Sequence, residues 1–515
     1  MKSIKIFKWS LWLCGVLFLT ACSKEALDKV NANPNNPEDV PAKFTVTDLI
    51  TSTAFNIVGG DIPLYASVYV EHEAGVWNQQ YNAETRRGEP TSATTYNNVW
   101  GQIYNNIKAL KIVIAKTSEG GKEEGNNVTN GIAKVLMAYN LGVLTDYWGD
   151  VPFSESGVIN SSGSPAVLQP KIDKQSDLYP QIISYLDDAI VQLDKTDASA
   201  IGNQDLIYKG NKALWKKAAY GLKARYTMHT LFRSTDATQD LTKVVDYVNQ
   251  SFASSSEEMI FSVYDGNSLV NPLGAFSYSR DGLGASGSLL EKFKELNDPR
   301  GEQAFMNYNF EQITLDEALD GSVPNGTPVQ QQFVYDISMA EYSMSAPTLL
   351  LSYHELMFLK AEALVRLNRQ AEAKDALEKA VVAAFANLER TLKSTDNDWG
   401  VGADIDLSSD VAEDYFNNEV VPMFTDNPLK AVMLQKYLAF FGASGESTEA
   451  YNDIRRLRAL GEGDLIELDN PLNSDKFPLR YSYGNSDVLA NPNIATAYGD
   501  GQYVYTSKVW WAGGD

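Results

Sequence analysis

The chain is poor in the residues that thiol and metal chemistry need: its 515 residues include two cysteines, Cys14 and Cys22, and three histidines. Two cysteines cannot build a disulfide framework or a CxxC metal knuckle. His72, His229 and His354 lack the i, i+4 spacing that sets two imidazoles on one helix face for zinc. Basic charge is scarce as well. Lys and Arg number 43 against 66 Asp and Glu, a net charge of -23, so the clustered cations that phosphates require are missing and nucleic acid is excluded as a ligand. There is no GxSxG elbow, Walker loop or cysteine nucleophile, hence no compact catalytic signature. What is present is a globular balance of 44% hydrophobic, 11% aromatic and 21% charged residues, long enough for roughly three packing units.

Lys2, Lys5 and Lys8 precede an apolar run from Trp9 to Leu19, too short for a transmembrane helix but typical of a secretory leader. The run ends in Leu19-Thr20-Ala21-Cys22, which resembles the bacterial lipobox and implies cleavage before an acylated Cys22. Residues 1–21 are then a lipoprotein signal peptide and 22–40 a tether rich in Asn and Pro, with one folded unit over 41–515. Removing three lysines leaves 40 minus 66, or -26, and the remaining cysteine carries lipid. Such a body is anchored to a membrane without spanning it.

Apolar residues at i, i+3, i+4 and i+7 predict helices over Asn97–Lys116 (Trp100, Ile103, Ile107, Leu110) and Asn127–Thr145 (Ile132, Val135, Leu136, Tyr139), an antiparallel hairpin across a Gly-rich turn. Stripes at Leu178–Leu193 and Leu214–Leu222 predict a second pair. From Leu349 to Ala386 small and apolar residues (Ala361, Leu364, Ala373, Leu377, Ala380) follow the tetratricopeptide spacing, with a turn at Asn368-Arg369-Gln370. Between Phe252 and Tyr342 the period breaks down, which predicts long loops and short strands.

Gly282-Leu283-Gly284-Ala285-Ser286-Gly287 matches GxGxxG, but no apolar strand precedes it, so a flexible loop and helix N-cap is expected rather than a dinucleotide site. His72, between Glu71 and Glu73, reads as a surface helix residue. Asp396, Asp398, Asp404 and Asp406 could offer oxygens to calcium, yet their spacing is not that of an EF-hand, and a solvated acidic loop is expected. No cofactor or metal ligand set is assigned beyond that open option of a structural calcium.

Several blocks together resemble the SusD/RagB family of Bacteroidetes outer-membrane lipoproteins, in its SusD-like branch: Trp100-Gly101-Gln102-Ile103-Tyr104, Leu144 through Phe153, Asn297-Asp298-Pro299-Arg300, Gln435-Lys436-Tyr437, Tyr451 through Arg456, Phe477 through Tyr481 and Val509-Trp510-Trp511. The resemblance covers essentially the whole mature chain. It implies a mainly α fold, with tetratricopeptide-like hairpins as scaffold under an irregular loop-rich region. It also implies a non-enzymatic lipoprotein in the outer leaflet of the outer membrane, facing the exterior. Such a protein captures glycans, or in some members peptides, and delivers them to a SusC-like TonB-dependent transporter. A surface glycoside hydrolase and a structural adaptor are the alternatives from other classes.

A glycan site needs aromatic platforms flanked by amides, carboxylates or Arg. Of the tryptophans after the leader, Trp100, Trp148, Trp215, Trp510 and Trp511 fall in helix stripes or family landmarks and read as structural. The candidate ligand-binding residues are therefore Trp77 with Asn78, Gln80 and Tyr81, Trp399 in a Gly-rich loop, and Tyr278, Arg280 and Tyr342 from the central loops.

Overall fold

The computed structural model describes residues 39–87, 96–160, 164–442 and 444–515. The leader, Cys22 and nearly all of the tether lie outside the described residues. Helix accounts for 59% and strand for 5%, so the fold is mainly α.

The predicted hairpins form because each helix has one apolar stripe to bury. Asn97–Thr117 buries Val99, Trp100, Ile103, Ile107, Leu110 and Val113 against Asn127–Trp148. That second helix is buried almost all round, because it also packs on Gln175–Asp194. The series continues through Lys212–His229, Ala237–Asn249, Tyr353–Arg366 and Gln370–Trp399, each packed on the next. This is a run of stacked helical pairs, as in tetratricopeptide arrays. The ends follow local rules. Asn211 caps its helix by accepting from the Ala213 and Leu214 amides, and Asn368, with φ 59°, makes the turn of the Leu349–Ala386 unit. Ala361, Ala373 and Ala380 are fully buried in that hairpin, where small side chains let the helices approach.

The family-like landmarks turn out to be buried polar ties between layers. Arg456 pairs with Glu362 at 2.6 Å and with Asp453 at 2.8 Å, and Lys436 reaches Asp453 at 2.7 Å. The Tyr437 hydroxyl donates to the Val70 carbonyl at 2.8 Å, and the Trp148 indole donates to Ser482 at 2.7 Å. Removing one partner of such a pair strands a buried charge, which costs roughly 3–5 kcal/mol.

Three expectations are corrected. His72 is not on a surface helix: it lies buried in a turn, with Nε2 2.8 Å from the Tyr437 carbonyl, and burial pushes its pKa down to about 3. The GxGxxG segment is not a flexible loop, because Leu283–Ala285 is a buried strand antiparallel to Glu73–Gly75. The helix that follows, Gly287–Glu295, has its first amides engaged by the Val323 carbonyl and the Asn325 side chain, which leaves no phosphate cradle. The acidic segment is only partly a solvated loop. Asp396 and Asp398 end the Gln370–Trp399 helix, where Asp398 accepts from the Met344 and Ser345 amides and Asp396 from those of Gly402 and Ala403. The described residues include no cluster of three or more His, Cys, Asp or Glu suited to a metal ion.

One hydrophobic core extends from Ala42 to Ala512, and a small satellite of Ala74, Val76 and Val323 underlies the segment that carries Trp77.

Candidate functional site

The site is built on irregular segments that the core clamps. Glu73–Gly75 pairs with Leu283–Ala285, and the Val76 amide extends the pairing to the Gly282 carbonyl at 2.9 Å. Gly75 is obligatory here, since a Cβ would fall 1.9 Å from the Gln80 carbonyl oxygen. The pairing delivers Trp77, extended and 38% exposed, to the start of the Asn78–Thr85 helix. From the other side comes the Pro272–Arg280 helix, whose start is capped by Asn271 and packs closely on Gly59. Gly59 and Gly60 lie in a π-helical turn over Thr53–Asp61, with Gly60 departing from helical angles, and this irregularity brings Asp61 to the same place.

The result is a cavity of about 480 Å³ lined by Trp77, Asn78, Gln79, Gln80, Phe276, Ser279, Arg280, Gly282, Gln332 and Asp61. Trp77, Asn78, Gln80 and Arg280 from the sequence-derived candidates meet in it. Phe276, Ser279 and Arg280 do so because positions i, i+3 and i+4 share one helix face. Gln332 is held by its Nε2, which donates to the Arg280 carbonyl at 2.6 Å. Among the described residues Asp61 is the one carboxylate lining the cavity, and burial raises its pKa. Among the described residues the lining also offers two ring faces, four side-chain amides, a hydroxyl and a guanidinium, groups that can stack on apolar faces and exchange hydrogen bonds with hydroxyls.

Tyr278, Tyr342 and Trp399 assemble elsewhere. Tyr278, 54% exposed, leaves the same helix toward Trp399, with ring centroids 4.5 Å apart, and Phe310 lies 5.1 Å from Trp399. Trp399 is the last residue of a helix rather than a loop residue, and its indole donates to the Tyr342 carbonyl at 2.7 Å. Tyr342 is buried, its hydroxyl donating to Asp281 at 3.2 Å. Tyr81 is 7% exposed and does not line the cavity. Gln79 is legible in the sequence as one of the polar neighbours of Trp77, whereas Phe276, Ser279, Gln332 and Asp61 come from other segments with no local motif.

Fold and cavity together define a class: a helical-hairpin scaffold that displays a cavity on irregular segments laid over it. A family profile described as starch-binding and associating with the outer membrane matches residues 34–484, and the chain belongs to this SusD-like family of binding proteins. A SusD/RagB family protein of Bacteroides thetaiotaomicron is 47% identical, with a TM-score of 0.87 over 93% of this chain and 100% of that one. Two structures of lower identity share the fold. A chitin-binding protein is 22% identical (TM-score 0.66, covering 92% of this chain and 99% of that one), and a chitin-binding SusD homolog of Flavobacterium johnsoniae is 18% identical (TM-score 0.67, 92% and 98%). Among curated proteins none matches the chain. The family is outer-membrane associated, and among the described residues no helix is long and apolar enough to cross a membrane.

Proposed function

We propose that the protein is a cell-surface lipoprotein, acylated on Cys22 in the outer leaflet of the outer membrane, that captures nutrient glycans and passes them to a SusC-like TonB-dependent transporter. The observation that carries this reading is the cavity in which the exposed Trp77 ring is surrounded by Asn78, Gln79, Gln80, Gln332 and Arg280. A sugar stacks an apolar face on the indole while its hydroxyls exchange hydrogen bonds with amides that both donate and accept. Family membership supports the same reading, as do the relatives described as chitin-binding.

The test runs protein beginning at Ser23 through native gels containing soluble starch, glycol chitin or polygalacturonate, and assays the same mixtures for new reducing ends. Retardation without new ends is expected, together with a loss of roughly tenfold in affinity for Trp77→Ala, the scale of an aromatic platform. New reducing ends would mean a hydrolase. If only a peptide library competes for Trp77, the ligand class is peptide.

A further inference from the structure

The last residues of the chain help build a second cleft, of about 600 Å³, that shares no lining residue with the first. The two lie on different parts of the body. The Ile62–Tyr69 helix, which starts beside Asp61, packs on the Ser447–Leu460 helix, and that helix packs in turn on the Trp510–Ala512 turn. Trp510 is a wall of this cleft and also of a neighbouring hollow of about 480 Å³ lined by Tyr179, Arg233, Asp240, Lys243 and Tyr247. The sequence had placed Trp510 with its neighbour among structural tryptophans. Trp511 is indeed fully buried, but Trp510 stays half-buried between two openings.

The charges in the cleft come in both signs. Lys174 lies 2.7 Å from Asp150, and the Tyr498 hydroxyl donates to the same carboxylate oxygen at 2.9 Å. Arg480 is buried over the Tyr483 and Tyr498 rings, at 4.6 and 5.2 Å, and donates to the Trp148 carbonyl. Lys508 and Asp515 line the cleft as well, with the hydroxyls of Thr506 and Ser507. A polyanion entering here meets Asp150 and Asp515, and a polycation meets Lys174, Arg480 and Lys508. A neutral polyol meets no repulsion, because each of its hydroxyls both donates and accepts, and the Trp510 and Tyr498 rings, packed on Arg233 at 5.4 Å and on Tyr483 at 4.7 Å, stand in the cleft's walls beside its apolar side. The hollow beyond Trp510 repeats this composition, with Lys243 paired to Asp240 at 2.8 Å, so a chain of several sugar units finds similar chemistry on both sides of the indole.

We propose that the Trp510 cleft is a second binding site for neutral saccharide, a claim that rests on the glycan reading of the Trp77 cavity. Two sites on one body make the second contact intramolecular, so a polymer long enough to reach both is held by avidity worth roughly 10²–10⁴ over either site alone.

The experiment compares native-gel retardation in soluble starch and glycol chitin for the wild type, Trp77→Ala/Arg280→Ala, Thr506→Trp and the combination. Thr506 is exposed, so Thr506→Trp blocks the cleft without removing packing, and Trp510→Phe, with unchanged melting, serves as a second variant. The expected result is at least a roughly tenfold loss from either cleft's variants, with residual retardation of Trp77→Ala/Arg280→Ala abolished by adding Thr506→Trp. Unchanged retardation in both Thr506→Trp and Trp510→Phe overturns the second site and leaves the first standing. So does complete loss of retardation in Trp77→Ala/Arg280→Ala alone. Retardation left at the wild-type level by the Trp77 and Arg280 changes but abolished by Thr506→Trp on its own refutes the first site and keeps the second, and a wild type retarded by neither polymer refutes both.

Discussion

His229 sits buried between two carboxylates. Its Nε2 is 2.8 Å from Glu449 and its Nδ1 3.2 Å from Asp146, while the Tyr179 hydroxyl, Tyr226, Arg225 beside Glu449 and the Trp511 ring complete its surroundings. Burial alone would lower its pKa, but the charges of Asp146 and Glu449 outweigh that and raise it to about 9. A group whose pKa is raised on folding contributes stability that is complete below its unfolded value near 6.5 and fades as pH climbs through 9. The gap corresponds to roughly 3 kcal/mol. The melting temperature should therefore fall between pH 6.5 and 9, and His229→Gln should melt lower at pH 6.5 but with a flatter alkaline limb. An unchanged slope in the variant would mean that other groups carry the limb. His72 has the opposite sign: depressed to about 3 by burial, it contributes above pH 6.5 and loses that contribution as the solution becomes acid.

At the scale of the element, the Pro272–Arg280 helix decides whether a site exists, since it gives Phe276, Ser279 and Arg280 to the cavity and Tyr278 to the neighbouring aromatic cluster. Nine residues are too few to hold a helix by propensity. Asn271 holds it, its Oδ1 accepting from the Leu273 amide at 2.9 Å while Nδ2 donates to the Ala346 carbonyl at 2.8 Å and to the Ser444 hydroxyl at 2.9 Å. Asn271→Ala loses the cap and leaves a buried carbonyl unpaired, so denaturant unfolding should register a loss of about 2–3 kcal/mol, and polysaccharide retardation should weaken with it. Asn271→Asp keeps the cap acceptor and should fall between; equal stability of all three proteins would show that the helix is held by packing alone. The same anatomy explains what the sequence disclosed. Long helices such as Asn127–Trp148 announce themselves because their period repeats over several turns. The helix at 272–280 and the strand Glu73–Gly75 are short, and they owe their form to Ala346, Ser444 and Leu283, whose nearness no local pattern encodes. Trp77 with its amides was legible as a cluster of polar neighbours around one indole. Asp61, Phe276 and Gln332 were not, for want of any such cluster, and His72 misled because two flanking glutamates look like a surface until burial is known.

For the molecule as a whole, the proposed anchor at Cys22 and the proposed glycan cavity belong to separate parts of the chain. The described chain starts at Asp39, which pairs with Lys116 at 2.6 Å, while the Ala42 amide donates to Glu123 at 2.9 Å, so the N-terminal segment joins the body at the far end of the Asn97–Thr117 helix. Trp100, near the other end of that helix, donates to Asp487. None of these residues lines the Trp77 cavity. If Cys22 carries the acyl chains, Cys22→Ser should move the protein from the membrane pellet to the soluble fraction after cell lysis. Purified, it should retain full retardation in polysaccharide gels, because among the described residues the first to line the cavity is Asp61. Growth on the bound glycan should nevertheless fall, since a released binder cannot hand its ligand to a transporter in the membrane. A Cys22→Ser protein that still sediments with membranes would place the attachment elsewhere in the chain, and one that loses glycan binding in solution would show that the N-terminal segment is part of the binding surface.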